Sequence, residues 1–100
     1  MGKLVRDRIP EIIRSSGGDP AIRVLDDDAY ARALRAKLLE EAGELHAATG
    51  DDVVTEAADV LEVVLAILRT NGLDLGDLIA ARDAKLLERG GFDRGLWLET

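Results

Sequence analysis

Leu38-Leu39-Glu40-Glu41-Ala42-Gly43-Glu44-Leu45 and, past a Thr49-Gly50-Asp51 break, Glu56-Ala57-Ala58-Asp59-Val60 decide how this chain folds. In each half two carboxylates stand three residues apart, Glu41 with Glu44 and Glu56 with Asp59. That spacing puts both members of a pair on one face of a helix. The break is short enough to fold the two helices into an antiparallel hairpin. Counted outward from Gly50, Glu44 matches Glu56 and Glu41 matches Asp59, so all four carboxylates are expected at about one level. Such a quartet repels itself unless a cation sits in it. The fitting occupant is a hard divalent ion, Mg²⁺ first and Mn²⁺ second.

The hairpin helices can be bounded from their caps and stripes. The first is expected from about Asp28 to Ala48, with Asp26-Asp27-Asp28 supplying an N-cap and favourable negative charge. Its apolar stripe is Tyr30, Leu34, Leu38, Leu45 and Ala48, and Glu41 falls inside that stripe. Glu44 lies on the flank and Glu40 further round. A charge within a stripe meant for burial is the informative anomaly. The second helix starts at Asp51 or Asp52 and runs to about Thr70, where Asn71-Gly72 ends it. From Val60 to Leu68 it is apolar almost all round, which implies packing against another subunit.

Working outward, Asp74 caps a third helix that carries Leu75, Leu78, Ile79, Arg82, Lys85, Leu86 and Arg89 and stops at Gly90-Gly91. Upstream, Lys3 to Asp7 reads as extended, and Pro10 suits the first turn of a short helix through Arg14. Residues 15–20 form a loop, and Ala21 to Leu25 is a brief strand or an ordered linker. The tail from Phe92 to Thr100 is amphipathic and is expected to dock on the bundle or on a neighbouring chain, with Trp97 as its anchor. The fold expected is an all-α antiparallel helical bundle, one domain over residues 1–100, working as a homodimer or homotetramer.

Composition narrows the function classes. The chain has 100 residues, 47% hydrophobic and 33% charged, which is globular and not disordered. A net charge of −7 and only three aromatics argue against a nucleic-acid polymer as partner. With no cysteine, disulfides, thiolate metal sites and cysteine nucleophiles are excluded. The start from Met1 lacks the apolar stretch of a signal peptide, and Val60 to Leu68 is too short to span a bilayer. A cytoplasmic protein without membrane contact is expected.

Four carboxylates on facing helices can hold one or two Mg²⁺ ions and leave positions for substrate oxygens, for which phosphate is the usual partner. Metal-assisted hydrolysis of a phosphoanhydride is therefore the leading reaction class. A di-iron carboxylate site is disfavoured, because His46 sits two residues after Glu44 and five after Glu41 and fits no Glu-x-x-His slot. One histidine also leaves no Ser-His-Asp arrangement.

The stretch Leu38 to Leu45 followed by Glu56 to Val60 resembles the EExxE…ExxD signature of the all-α NTP pyrophosphatase (MazG-like) superfamily. Lys3-Leu4-Val5-Arg6-Asp7-Arg8-Ile9-Pro10-Glu11-Ile12-Ile13 and Lys85-Leu86-Leu87-Glu88-Arg89-Gly90-Gly91-Phe92 resemble the start and end of a single-domain, house-cleaning branch related to phosphoribosyl-ATP pyrophosphohydrolase. The resemblance implies an oligomeric, Mg²⁺-dependent enzyme that cleaves a nucleoside triphosphate between its α- and β-phosphates, giving NMP and pyrophosphate. It implies Glu41, Glu44, Glu56 and Asp59 as metal ligands, with Glu40 and Glu41 as the catalytic pair and Glu40 helping to orient the attacking water. Lys85 and Arg89 match basic positions near substrate phosphates, and Lys37, one turn before Glu41, is a further phosphate contact. On their own, Lys85 and Arg89 also suit a helix C-terminus, and Lys3, Arg6, Asp7 and Arg8 either bind substrate or make surface ion pairs. The rivals are phosphoribosyl-ATP pyrophosphohydrolase itself and a non-catalytic nucleotide- or partner-binding helical oligomer.

Overall fold

A computed structural model describes residues 2–99; Met1, where the leader reading began, and Thr100, last residue of the tail, lie outside the described residues. Four helices follow one another: α1 (Ile9–Ser15), α2 (Asp27–Ala47), α3 (Asp52–Thr70) and α4 (Leu75–Arg89). No strand occurs among the described residues, so the all-α reading holds and residues 21–25 are the linker, not the strand.

The caps explain the boundaries. Asp26, in extended conformation, accepts a hydrogen bond from the Ala29 amide at 2.8 Å and starts α2. Asp74 and Asp77 exchange side-chain-to-backbone bonds at 3.0 and 2.9 Å, a capping box that starts α4. Gly50 turns the chain between α2 and α3 at φ +59°, a left-handed conformation that favours a residue without Cβ. Pro10 lies in the first turn of α1, where its missing N–H costs no helical bond.

The core is the α2–α3 hairpin, the helix pair that packs extensively. Leu34 on α2 and Val63 on α3 are its two buried residues, at 3% and 8% exposure. Tyr30, Leu38, Leu45 and Ala48 are half-buried along the same stripe, and Glu41 stays within it, as the helical projection requires. Helix α4 does not join this pair: Leu78 is half-buried, but Leu75, Ile79, Leu86 and Leu87 are exposed. The tail does not dock on its own chain either. Trp97 is 85% exposed, which corrects the expectation of an anchor for the tail within the protomer. The radius of gyration is 17.2 Å, against about 13 Å for a compact chain of this length.

Candidate metal centre

Glu41 occupies a stripe position between Leu38 and Leu45, so its side chain is only 14% exposed. Its charge is met by Lys37, one turn earlier, whose Nζ lies 3.4 Å from Glu41 Oε1 and 3.5 Å from Glu40 Oε1. Glu56 and Asp59 face it from the first half of α3, where the helix dipole favours negative charge. One carboxylate oxygen from each of Glu41, Glu56 and Asp59 lies within 4.8 Å of the others. The hairpin thus brings together three of the four expected ligands. Glu44, on the flank of the stripe, is exposed and lies outside this group.

The electrostatics match that placement. The Glu56 carboxyl is pushed above the ordinary glutamate range, first by partial withdrawal from water and then by the charges of Asp59, Glu44, Glu41 and Asp52 in that order. Glu44 therefore presses on the site even though it stands outside the trio. Asp59 has its own counter-ion: Arg6 Nη2 donates to Asp59 Oδ1 at 2.6 Å. The donor set is all-oxygen, partly exposed and anionic, which fits a hard divalent cation and does not fit a soft one.

A groove of about 260 Å³ opens beside the trio. Glu41 and Asp59 form part of its wall together with Arg6, Tyr30, Lys37 and Arg69. Arg69 donates to Glu62, which also lines the groove, at 3.4 Å. Glu62 and Arg69 did not figure among the expected site residues, and Arg6 figured only within the Lys3, Arg6, Asp7 and Arg8 cluster that either binds substrate or makes surface ion pairs. The Glu62/Arg69 pair has a sequence signal, two helical turns of separation on one face, whereas Arg6 approaches Asp59 from 53 residues away and has none.

The remaining candidates divide clearly. Lys37 lines the groove, whereas Glu40 does not line it and is tied to the site through its ion pair with Lys37. Lys85 and Arg89 lie exposed on α4 and do not line the groove; Arg89 Nε is 4.0 Å from its neighbour Glu88. His46 is exposed and stands apart from the trio.

An all-helical chain with an acidic trio across an antiparallel hairpin is the architecture of the all-α NTP pyrophosphatase (MazG-like) class. Comparison with known families makes this specific: residues 21–85 match the phosphoribosyl-ATP pyrophosphohydrolase family, and the chain belongs to that family of pyrophosphohydrolases. A protein of Mycolicibacterium smegmatis, described only as uncharacterized, is 59% identical over 56 residues, which is 56% of this chain and 57% of the relative. The chain thus spans a little over half the length of that relative. No solved structure matches. The family match takes in the whole trio together with Lys37 and Lys85, and begins after Arg6.

Proposed function

We propose that the protein is a Mg²⁺-dependent nucleotide pyrophosphohydrolase, cleaving a nucleoside triphosphate between the α- and β-phosphates to NMP and pyrophosphate. The observation that carries this reading is the convergence of Glu41, Glu56 and Asp59 beside a groove edged with cations. A divalent ion held there, Mg²⁺ or Mn²⁺, supplies polarisation of a phosphoryl oxygen and a more acidic water. Glu41 and Asp59 hold the ion from facing helices, Glu56 joins them, and Glu44 adds charge from the flank. Glu40, half-exposed and paired with Lys37, takes the role of helping to orient the attacking water in this reading. Lys37, which lines the groove, supplies a phosphate contact in this reading. Lys85 and Arg89, exposed on α4, can serve a site only through the neighbouring chain of an oligomer. A homodimer or homotetramer is therefore part of the proposal.

The second reading, phosphoribosyl-ATP as the dedicated substrate, is favoured by the family match over residues 21–85. The same bond breaks in both, so the metal chemistry is shared. A panel of nucleoside triphosphates plus phosphoribosyl-ATP, assayed for pyrophosphate with Mg²⁺ and with chelator, separates the two. Pyrophosphate release confined to phosphoribosyl-ATP selects the second. Release from none of them, alongside tight nucleotide binding, overturns both in favour of a binding protein.

A further inference from the structure

We infer that Arg6 is an exchangeable counter-ion of the metal centre: it yields Asp59 to a divalent cation and then holds the phosphates of the substrate. This rests on the metal-dependent reading above and extends it to the N-terminal segment.

The geometry of Arg6 carries the argument. It uses one of its five N–H donors on Asp59 Oδ1, at 2.6 Å, and has no other side-chain partner among the described residues. Asp59 is one of the three carboxylates that converge, so Arg6 and a divalent cation seek the same group. The Arg6 side chain is 57% exposed and that of Asp59 33%. An ion pair this open is worth little, and parting it leaves no buried charge behind.

The backbone holds Arg6 at the site whichever partner it takes. Leu4 and Val5 are half-buried and line the groove with it, and the Arg6 carbonyl accepts from the Ile9 amide at 3.0 Å where α1 begins. A released guanidinium therefore stays at the groove mouth. What it meets there is suggested by its neighbours. Lys37 and Arg69 also reach the groove, each with its charged nitrogen 3.4 Å from a carboxylate oxygen. These three cations share the groove wall with four carboxylates, Asp7, Glu41, Asp59 and Glu62, so each cation stands near acidic groups that a divalent ion could engage instead. A divalent cation entering the trio replaces the neutralisation that Arg6 and Lys37 provide, and it repels both. The ligand that then satisfies them is a multiply charged anion, and a planar guanidinium suits a phosphate in two-pronged contact.

The test is calorimetric titration of the full chain with Mg²⁺ alone, and then with inorganic pyrophosphate in saturating Mg²⁺. It compares wild type with Arg6→Gln, Arg6→Lys and Glu56→Gln. Because Arg6 competes with the ion, Arg6→Gln should bind Mg²⁺ about two- to fivefold more tightly. Because Arg6 holds phosphate, the same variant should bind pyrophosphate about tenfold more weakly. Arg6→Lys should bind Mg²⁺ like wild type and fall between the two for pyrophosphate. If Arg6→Gln weakens Mg²⁺ binding, Arg6 is instead an orienting partner of a ligand carboxylate, and the inference is overturned. If both affinities stay at wild-type values, the contact is a surface ion pair and the inference is equally overturned. Glu56→Gln reports on the underlying reading separately: it should lose Mg²⁺ binding, and wild-type binding by that variant would sink the metal centre itself, whatever Arg6 does.

Discussion

At the scale of single residues, the charge of Glu56 is the most consequential. Its pKa is raised in the folded chain, so the native state binds this proton more tightly than the unfolded state does. Its contribution to stability is therefore complete below the ordinary glutamate value, near pH 4, and is lost as pH rises through the raised one. In chelator, the melting temperature of wild type should fall across that window relative to Glu56→Gln. At neutral pH the metal-free variant should be the more stable. Adding Mg²⁺ should reverse the order, because only wild type gains stability from the bound ion. Identical pH profiles for the two proteins would show that the carboxylates do not press on one another. For activity, Glu41→Gln should lower kcat/KM by on the order of a hundredfold or more, judged by pyrophosphate release. Glu41 was legible in the sequence because a charge inside an apolar stripe has no ordinary explanation. The Arg6 contact to Asp59 was not, since a pairing across 53 residues leaves no periodic trace.

At the scale of elements, the hairpin sets the site, so its cap and its turn are the points to test. Asp26→Ala removes the bond to the Ala29 amide and should cost about 1 kcal/mol in urea denaturation. Gly50→Ala places a Cβ at φ +59°, where space is open but the backbone is disfavoured; the cost should again be about 1 kcal/mol. A neutral result at Gly50 would mean the turn can relax without disturbing the trio. The helix boundaries were legible because Asp26, Asp74, Asn71-Gly72 and Gly90 are local signals that act within one turn. The register across the hairpin was legible only in part. Counting from Gly50 ranks Glu44 with Glu56, but side-chain direction depends on helix phase as well as on level. Glu44, on the flank of α2, therefore stays in solvent while Glu41 turns inward.

At the scale of the whole molecule, apolar surface is the dominant feature. Val54 on α3 is 72% exposed and Leu87 on α4 is 90% exposed, while a chain of 10.8 kDa keeps a 17.2 Å radius of gyration. Only two of the described residues are buried, too few to hold a hairpin and a separate helix together in water. The stretch from Val60 to Leu68, apolar almost all round apart from Glu62, already pointed to a partner surface in the sequence, whereas the stand-off of α4 did not: an amphipathic helix reads alike whichever chain it covers. Sedimentation equilibrium at micromolar concentration should give at least twice the chain mass of 10.8 kDa. A folded monomer would contradict the proposed assembly. No helix among the described residues is long and apolar enough to cross a membrane, so a bilayer-spanning helix does not account for this surface.

The account depends on three carboxylates closing on one cation, and Mn²⁺ binding followed by electron paramagnetic resonance tests that most directly. Wild type should show one saturable class of bound ion that Mg²⁺ displaces, and Glu41→Gln, Glu56→Gln and Asp59→Asn should each weaken it strongly. Unchanged binding in all three variants would contradict the metal centre and the hydrolytic function built on it.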